Sequence, residues 1–572
     1  MAEETLLKSA DGGKTYRTSS ETRQENKPVI YQMLPRLFAN TNEKCVPNGD
    51  ITTNGCGKMN SITTAILNEI RDLGVTHIWY TGVIEHANAT DYSEYGIMPD
   101  KIEIVKGKAG SPYAIKDYFD IDPDIAESVP DRMTEWEELI ARTHMAGLKV
   151  IMDFVPNHVA RCYHSDVAPQ GIEDFGNSDD VTKFFSPAND FYYIPRQLFQ
   201  PGFDIGDYQE FPAKASGNDC FNAFPGRNDW YETVKLNYGI DYGDGSRHFN
   251  PHPPVWLKML SILRYWASKG IDAFRCDMVF MVPIEFWEWA IPLVKADFPD
   301  IKFIAEIYDM NLYREFLFRG HFDYLYDKVN LYDTLRGVQC YNHSAATITD
   351  CWQRIDGIGG RMLNFLENHD EQRFASMEYA GDAMKVLPSL IVSSMISTAP
   401  FMLYAGQEFG EKGEDAEGFS GKDGRTTIFD YWSIPTLRRW HKGELYPLEA
   451  SLRSIYKKVL NLLNKEKAIS QGEFFDLMYV NFNNPDFSPH HNYAFLRYYE
   501  GTTLLIAVNF SDTPRKLKIN IPDHAIDMFH IKEGKRMATE LLSGRRASKT
   551  ISSSIPFTTD ISPWGAVIWK MK

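Results

Sequence analysis

Ala273-Phe-Arg-Cys-Asp277 decides how this chain is read. It is a short strand-prone run with a cation in its middle and an acid at its end. Side chains alternate across a strand, so Arg275 and Asp277 share one face. Three further segments are built alike: Asp153-Phe-Val-Pro-Asn157-His158, Phe303-Ile-Ala-Glu306-Ile307 and Phe365-Leu-Glu-Asn-His369-Asp370. An ionised side chain inside a buried strand is costly. Asp277, Glu306 and Asp370 therefore belong where strand ends converge, which gathers three carboxylates in one place. Carboxylates so crowded point to acid/base chemistry on a glycosidic bond.

Around these segments the chain alternates strand and helix patterns from Pro28 to about Ser470. Strands are expected at Val29–Met33, Thr76–Tyr80, Lys149–Phe154, Ala273–Asp277, Phe303–Ile307, Tyr324–Val329, Met362–Leu366 and Phe401–Tyr404. Most are continuous apolar runs, as expected of strands covered on both faces. Helices are expected between them, at Ile62–Leu73, Met133–Ala146, Trp256–Ser268, Ile284–Ala296 and Leu452–Leu463, where apolar residues recur at helical spacing. Eight such units predict an α/β fold, a (β/α)8 TIM barrel.

The interval from His158 to Pro254 is too long for an ordinary connection and is rich in Gly, Asp, Asn, Pro and aromatic residues. It is expected to be an inserted domain (159–253) after the third strand, overhanging the barrel end where such folds keep their chemistry. Residues 28–470 form the barrel in this reading, and 471–572 a C-terminal antiparallel β-sandwich. A hairpin is expected where Tyr493–Tyr499 and Leu504–Phe510 flank Glu500-Gly501. The polar start, 1–27, reads as a mobile segment.

A net charge of -17 disfavours nucleic acid and anionic membranes as partners, because both would repel it. The longest apolar stretch, Val386 to Tyr404, is broken by Pro388 and Pro400 and reads as a buried helix followed by a strand, so no membrane-spanning segment is expected. Met1-Ala-Glu-Glu-Thr lacks the basic and apolar regions of a signal peptide, which gives a cytoplasmic reading, or a periplasmic or secreted one if a signal has been removed. Seven cysteines show no Cys-x-x-Cys spacing, so free thiols are expected and zinc is not. Oligomeric state is not legible.

With these residues in view, the chain resembles glycoside hydrolase family 13, the α-amylase family, over nearly its whole length. Supporting matches are Val29 to Phe38, Gly74 to Trp79, Ser111-Pro-Tyr113 with Asp117-Tyr118, Val234-Lys-Leu-Asn237 and Gly406-Gln-Glu-Phe-Gly410. The resemblance implies Asp277 as nucleophile, Glu306 as general acid/base and Asp370 as the carboxylate that binds sugar hydroxyls at the scissile bond. Tyr113, His158, Arg275 and His369 are implied as substrate-binding residues. Arg275 is expected to favour the ionised form of Asp277. No cofactor is expected for the chemistry, and Asn157 matches a residue that binds a structural calcium in many members. The partner implied is an α-glucan oligosaccharide or polysaccharide.

One departure matters. Many α-amylases follow the nucleophile with a Lys-His pair, whereas here Met278-Val-Phe280-Met281 stands. The leading expectation is a retaining α-amylase-type hydrolase of α-1,4-glucosidic bonds in starch or maltooligosaccharides. An α-glucan transglycosylase is the alternative, motivated by Phe280 and Met281. A non-catalytic carbohydrate-binding module is the remote one, disfavoured because all three carboxylates are present.

Overall fold

The computed structural model describes residues 26–419 and 421–572. All of the expected mobile segment except its last two residues lies outside that range. The last of them, Lys27, is buried and donates to the carbonyls of Ser394 at 2.6 Å and Ser397 at 2.8 Å.

Eight parallel strands close into a barrel in sequence order: β1 Val29–Met33, β2 His77–Tyr80, β3 Lys149–Phe154, β4 Ala273–Cys276, β5 Lys302–Ala305, β6 Tyr324–Tyr326, β7 Met362–Phe365 and β8 Phe401–Tyr404. β8 returns to pair with β1, Val29 opposite Phe401. All five expected helices form, at Thr64–Asp72, Arg132–Met145, Pro254–Ser268, Ile284–Asp297 and Pro447–Lys465. Trp256, Trp266 and Trp287 on these helices are fully buried and make the outer ring a packed layer.

β6 ends three residues before its expected end. Buried Asp327 accepts from the backbone N–H of Leu331 and the side chain of Asn330, which turns the chain into a wide helical stretch at Lys328–Tyr332. Val329 is thereby taken out of the strand.

The stretch after β3 contains no helix and is held by short antiparallel pairs, His158–Ala160 with Thr233–Lys235 and Tyr193–Ile194 with Ala213–Lys214. A hairpin missed by the sequence reading, Ile84–His86 with Ile115–Ile121, follows β2 and carries Tyr113 just ahead of its second strand. Beyond the barrel a six-stranded antiparallel sheet packs with a two-stranded one, Arg515–Ile519 with Phe557–Ile561. Buried Trp569 links them by donating to Thr559 Oγ1 at 2.9 Å. The hairpin turn falls on Glu500 and Gly501, both at positive φ (43° and 80°), the geometry a two-residue hairpin loop requires.

This domain is stitched to the barrel by Arg497. Its guanidinium is buried, has no carboxylate partner among the described residues, and donates to the carbonyls of Ala468, Ile469, Gly472 and, in the barrel, Ile396.

Candidate active site

Strand register brings the acids together. Arg275 on β4 stands opposite Asp153 on β3 and Ile304 on β5, and Cys276 stands opposite Ala305. The next residue on each strand is an acid: Asp277 donates its N–H to Phe154 O at 2.9 Å, and Glu306 donates its own to Cys276 O at 3.0 Å. The two carboxyls thus leave adjacent strands at one level, at the C-terminal rim of the barrel. Asp370 comes from the loop after β7.

These three acids, with Tyr113 and His158, line a cavity of about 500 Å³. Arg275 and His369 do not line it but stand directly beneath, almost fully buried. Arg275 Nη1 donates to Asp277 Oδ1 at 2.8 Å, and Nη2 lies 2.8 Å from Glu306 Oε2. Nε donates to Tyr326 Oη at 3.2 Å, while the rings of Trp79 and Tyr113 cage the cation. Nη1 also reaches Asp153 Oδ1 at 3.4 Å, so one fixed positive charge serves three carboxylates.

That sharing alters the expected charge state. Burial and the neighbouring charge of Glu306 push the Asp277 carboxyl well above the usual carboxylate range, and Arg275 only opposes them. Arg275 favours the ionised form of Asp277, as expected, but its charge is shared among Asp153, Asp277 and Glu306 and does not offset burial and the charge of Glu306. Asp370 keeps 42 % of its side chain accessible. Burial among the pocket walls and the charge of Glu306 nevertheless push its carboxyl up to about 7, against Arg275.

His369 is neutral, its pKa driven down by burial and by Arg275. Its Nδ1 meets Gln32 Nε2 at 2.7 Å, and its Nε2 faces Tyr113 Oη at 2.6 Å and Asp370 Oδ2 at 3.2 Å. A neutral ring accepting at Nδ1 carries its proton on Nε2, directed at Tyr113 and Asp370. Tyr113 stacks on this imidazole, 5.3 Å between centroids. His158 is likewise held neutral, pushed down to about 3 by burial and the charges of Lys235 and Lys106, and packs on Trp230.

Several pocket residues were not singled out from sequence. Tyr308 donates to Glu306 Oε1 at 2.5 Å. The residue after Asp277, Met278, adopts φ of 42° and turns its N–H onto Glu306 Oε2 at 3.0 Å, a left-handed conformation rare for a long side chain. Lys106 and Glu232 form a nearly buried ion pair of 2.9 Å in the wall. Glu306-Ile-Tyr308 places the tyrosine two residues beyond the acid and was the one readable signal; the others reach the pocket only through loop placement.

The calcium expected at Asn157 does not fit the residues present. Asn157 Nδ2 donates to Gly217 O at 2.7 Å, and its oxygen, the atom a cation would use, accepts a hydrogen bond from the ammonium of Lys235. Elsewhere among the described residues, Glu85, Asp117 and Asp120 bring acid oxygens within 4.8 Å of one another, faced by Lys116 and Arg132 and outside the pocket.

Residues 32–434 match the family described as the α-amylase catalytic domain. The chain belongs to the α-amylase family. This family member is 21% identical over 521 residues to a cyclomaltodextrinase of Thermoanaerobacter pseudethanolicus, covering 89% of this chain and 74% of the relative. It is 23% identical over 471 residues to α-amylase 3 of Dictyoglomus thermophilum, covering 78% of each. Among solved structures, a maltogenic α-amylase from Thermotoga neapolitana superposes with a TM-score of 0.61 at 18% identity, covering 95% of this chain and 98% of the other. An α-amylase from Geobacillus thermoleovorans in complex with acarbose gives 0.62 at 18% identity, covering 96% and 98%. Likeness at that identity concerns the fold. The α-amylase-family chain is a glycoside hydrolase by membership, and no helix among its described residues is long and apolar enough to cross a membrane.

Proposed function

We propose that the protein hydrolyses α-1,4-glucosidic bonds of starch or maltooligosaccharides with retention of configuration. The observation that carries this reading is the single guanidinium of Arg275 held against both Asp277 and Glu306 at the floor of the cavity. In this mechanism Glu306 protonates the leaving oxygen while Asp277 attacks the anomeric carbon to give a glycosyl-enzyme. Glu306 then deprotonates the incoming water. Asp370, reached by the Nε2 of His369, binds hydroxyls of the ring as it flattens, and Tyr113 supports the sugar face.

Incubation with maltoheptaose, with products followed by chromatography, is expected to show cleavage, and Asp277→Ala is expected to abolish it. Absence of turnover on a panel of α-glucans, or an active Asp277→Ala, contradicts the reading. A second reading, glycosyl transfer, rests on Phe280, whose ring lies edge-on to Tyr308 at 6.4 Å and puts an apolar surface beside the acid/base pair. Longer oligosaccharides formed without new reducing ends would favour it.

A further inference from the structure

Three oxygens from three separate segments converge on one side-chain nitrogen, Lys235 Nζ. Asn157 Oδ1 comes from the end of β3, the carbonyl of Met281 from the turn after β4 at 3.2 Å, and Asp219 Oδ1 from the inserted domain at 2.7 Å. Lys235 is 2% exposed and pairs with His158 in the short ladder that joins the insert to the barrel. Asp219 holds its place at φ of 63°.

The arithmetic of this knot suits an ammonium. A lysine has three N–H donors, and three acceptors meet it. One carboxylate faces one positive charge. A calcium ion would require about six to eight oxygens and more negative charge than one aspartate supplies. Its place is taken by a cation bonded to the chain.

We infer that the Lys235 ammonium is a built-in cation that ties the inserted domain to the barrel at the point where a divalent ion was expected, and that the fold is thereby independent of calcium. The tie joins the segments beside His158 and just beyond Asp277, so it fixes two walls of the pocket with no exchangeable ion. This inference rests on the hydrogen-bonding of Lys235 and not on the identity of the substrate.

The test is thermal unfolding of the full chain in EDTA, in millimolar calcium chloride and in millimolar magnesium chloride. The wild-type midpoint is expected to be the same in all three, with no calcium retained on elemental analysis. Lys235→Ala is expected to unfold several degrees lower, by the same amount in all three solutions, because three oxygens with one carboxylate are too few to hold calcium in place of the ammonium. Asn157→Asp keeps the ammonium and is expected to remain indifferent to calcium. A wild-type midpoint lowered by EDTA, a tightly held calcium, a Lys235→Ala variant that melts like wild type, or a calcium response in Asn157→Asp would each overturn the inference. Should Lys235→Ala fail to fold, the wild-type and Asn157→Asp measurements still decide it.

Discussion

Tyr308 donates its hydroxyl hydrogen to Glu306 Oε1 at 2.5 Å, while the N–H of Met278 occupies Glu306 Oε2. Both oxygens of the acid are thus fixed before substrate arrives. A hydrogen bond to a charged group is worth about 1.5–3 kcal/mol. Tyr308→Phe is therefore expected to lower kcat by roughly 10- to 100-fold with the unfolding midpoint nearly unchanged. A variant with wild-type kcat would show that Met278 and Arg275 orient Glu306 without help.

Arg275 opposes the rise in the Asp277 carboxyl. In the proposed mechanism Asp277 attacks as the nucleophile and must be ionised, so the acid limb of kcat/KM is expected to report its titration in the free enzyme. Arg275→Gln removes the cation, and that limb is expected to move to higher pH, while Arg275→Lys keeps the charge and moves it less. Profiles measured from pH 4 to 9 decide the point; a limb that moves to lower pH in Arg275→Gln contradicts the assignment of charge.

Lys106 and Glu232 retain only 11% and 4% of their side-chain exposure. Breaking one partner of a buried pair costs about 3–5 kcal/mol, since the other charge is left alone, whereas replacing both is often close to neutral. Lys106→Met and Glu232→Gln are each expected to lower the unfolding midpoint, and the double variant to recover much of the loss. Because the pair is pocket wall, the double variant is also expected to change the length distribution of products. Additive losses in the thermal cycle would show that the pair is not coupled.

His86 is fully buried between Arg36 at 3.0 Å and Asp122 at 3.5 Å, and burial, then Arg36, pushes it down to about 4. The unfolded chain protonates this residue near pH 6.5 and the folded one does not. Its contribution is present above pH 6.5 and lost as pH falls towards 4, by up to about 3 kcal/mol. Asp122, pushed up to about 6 by burial, acts in the opposite direction and loses its contribution as pH rises through 6. The drop in midpoint between pH 7 and 5 is accordingly expected to be smaller in His86→Gln than in wild type. An equal drop would remove His86 from the account.

Strand positions were legible because buried parallel strands are short apolar runs: β1, β3 and β8 begin and end where the sequence predicts. The acids were legible because a charge at the end of such a run has few other reasons to be there. Lys106, Trp230 and Glu232 were not, since a lysine in a Gly-rich loop looks like any solvated residue until tertiary folding lays that loop over the barrel mouth. Asn157 was misread for a related reason. Its role depends on which cation reaches it, and the ammonium that does so lies 78 residues further on.

Arg497 makes the last hundred residues inseparable from the barrel. Without the strand that carries it, the carbonyls of Ile396, Ala468, Ile469 and Gly472 would lose their shared donor inside a dry interface. A gene cut between barrel and sandwich would therefore yield two unstable halves, and recombination that exchanges the C-terminal module would be tolerated only where the incoming sheet brings its own guanidinium to those four oxygens.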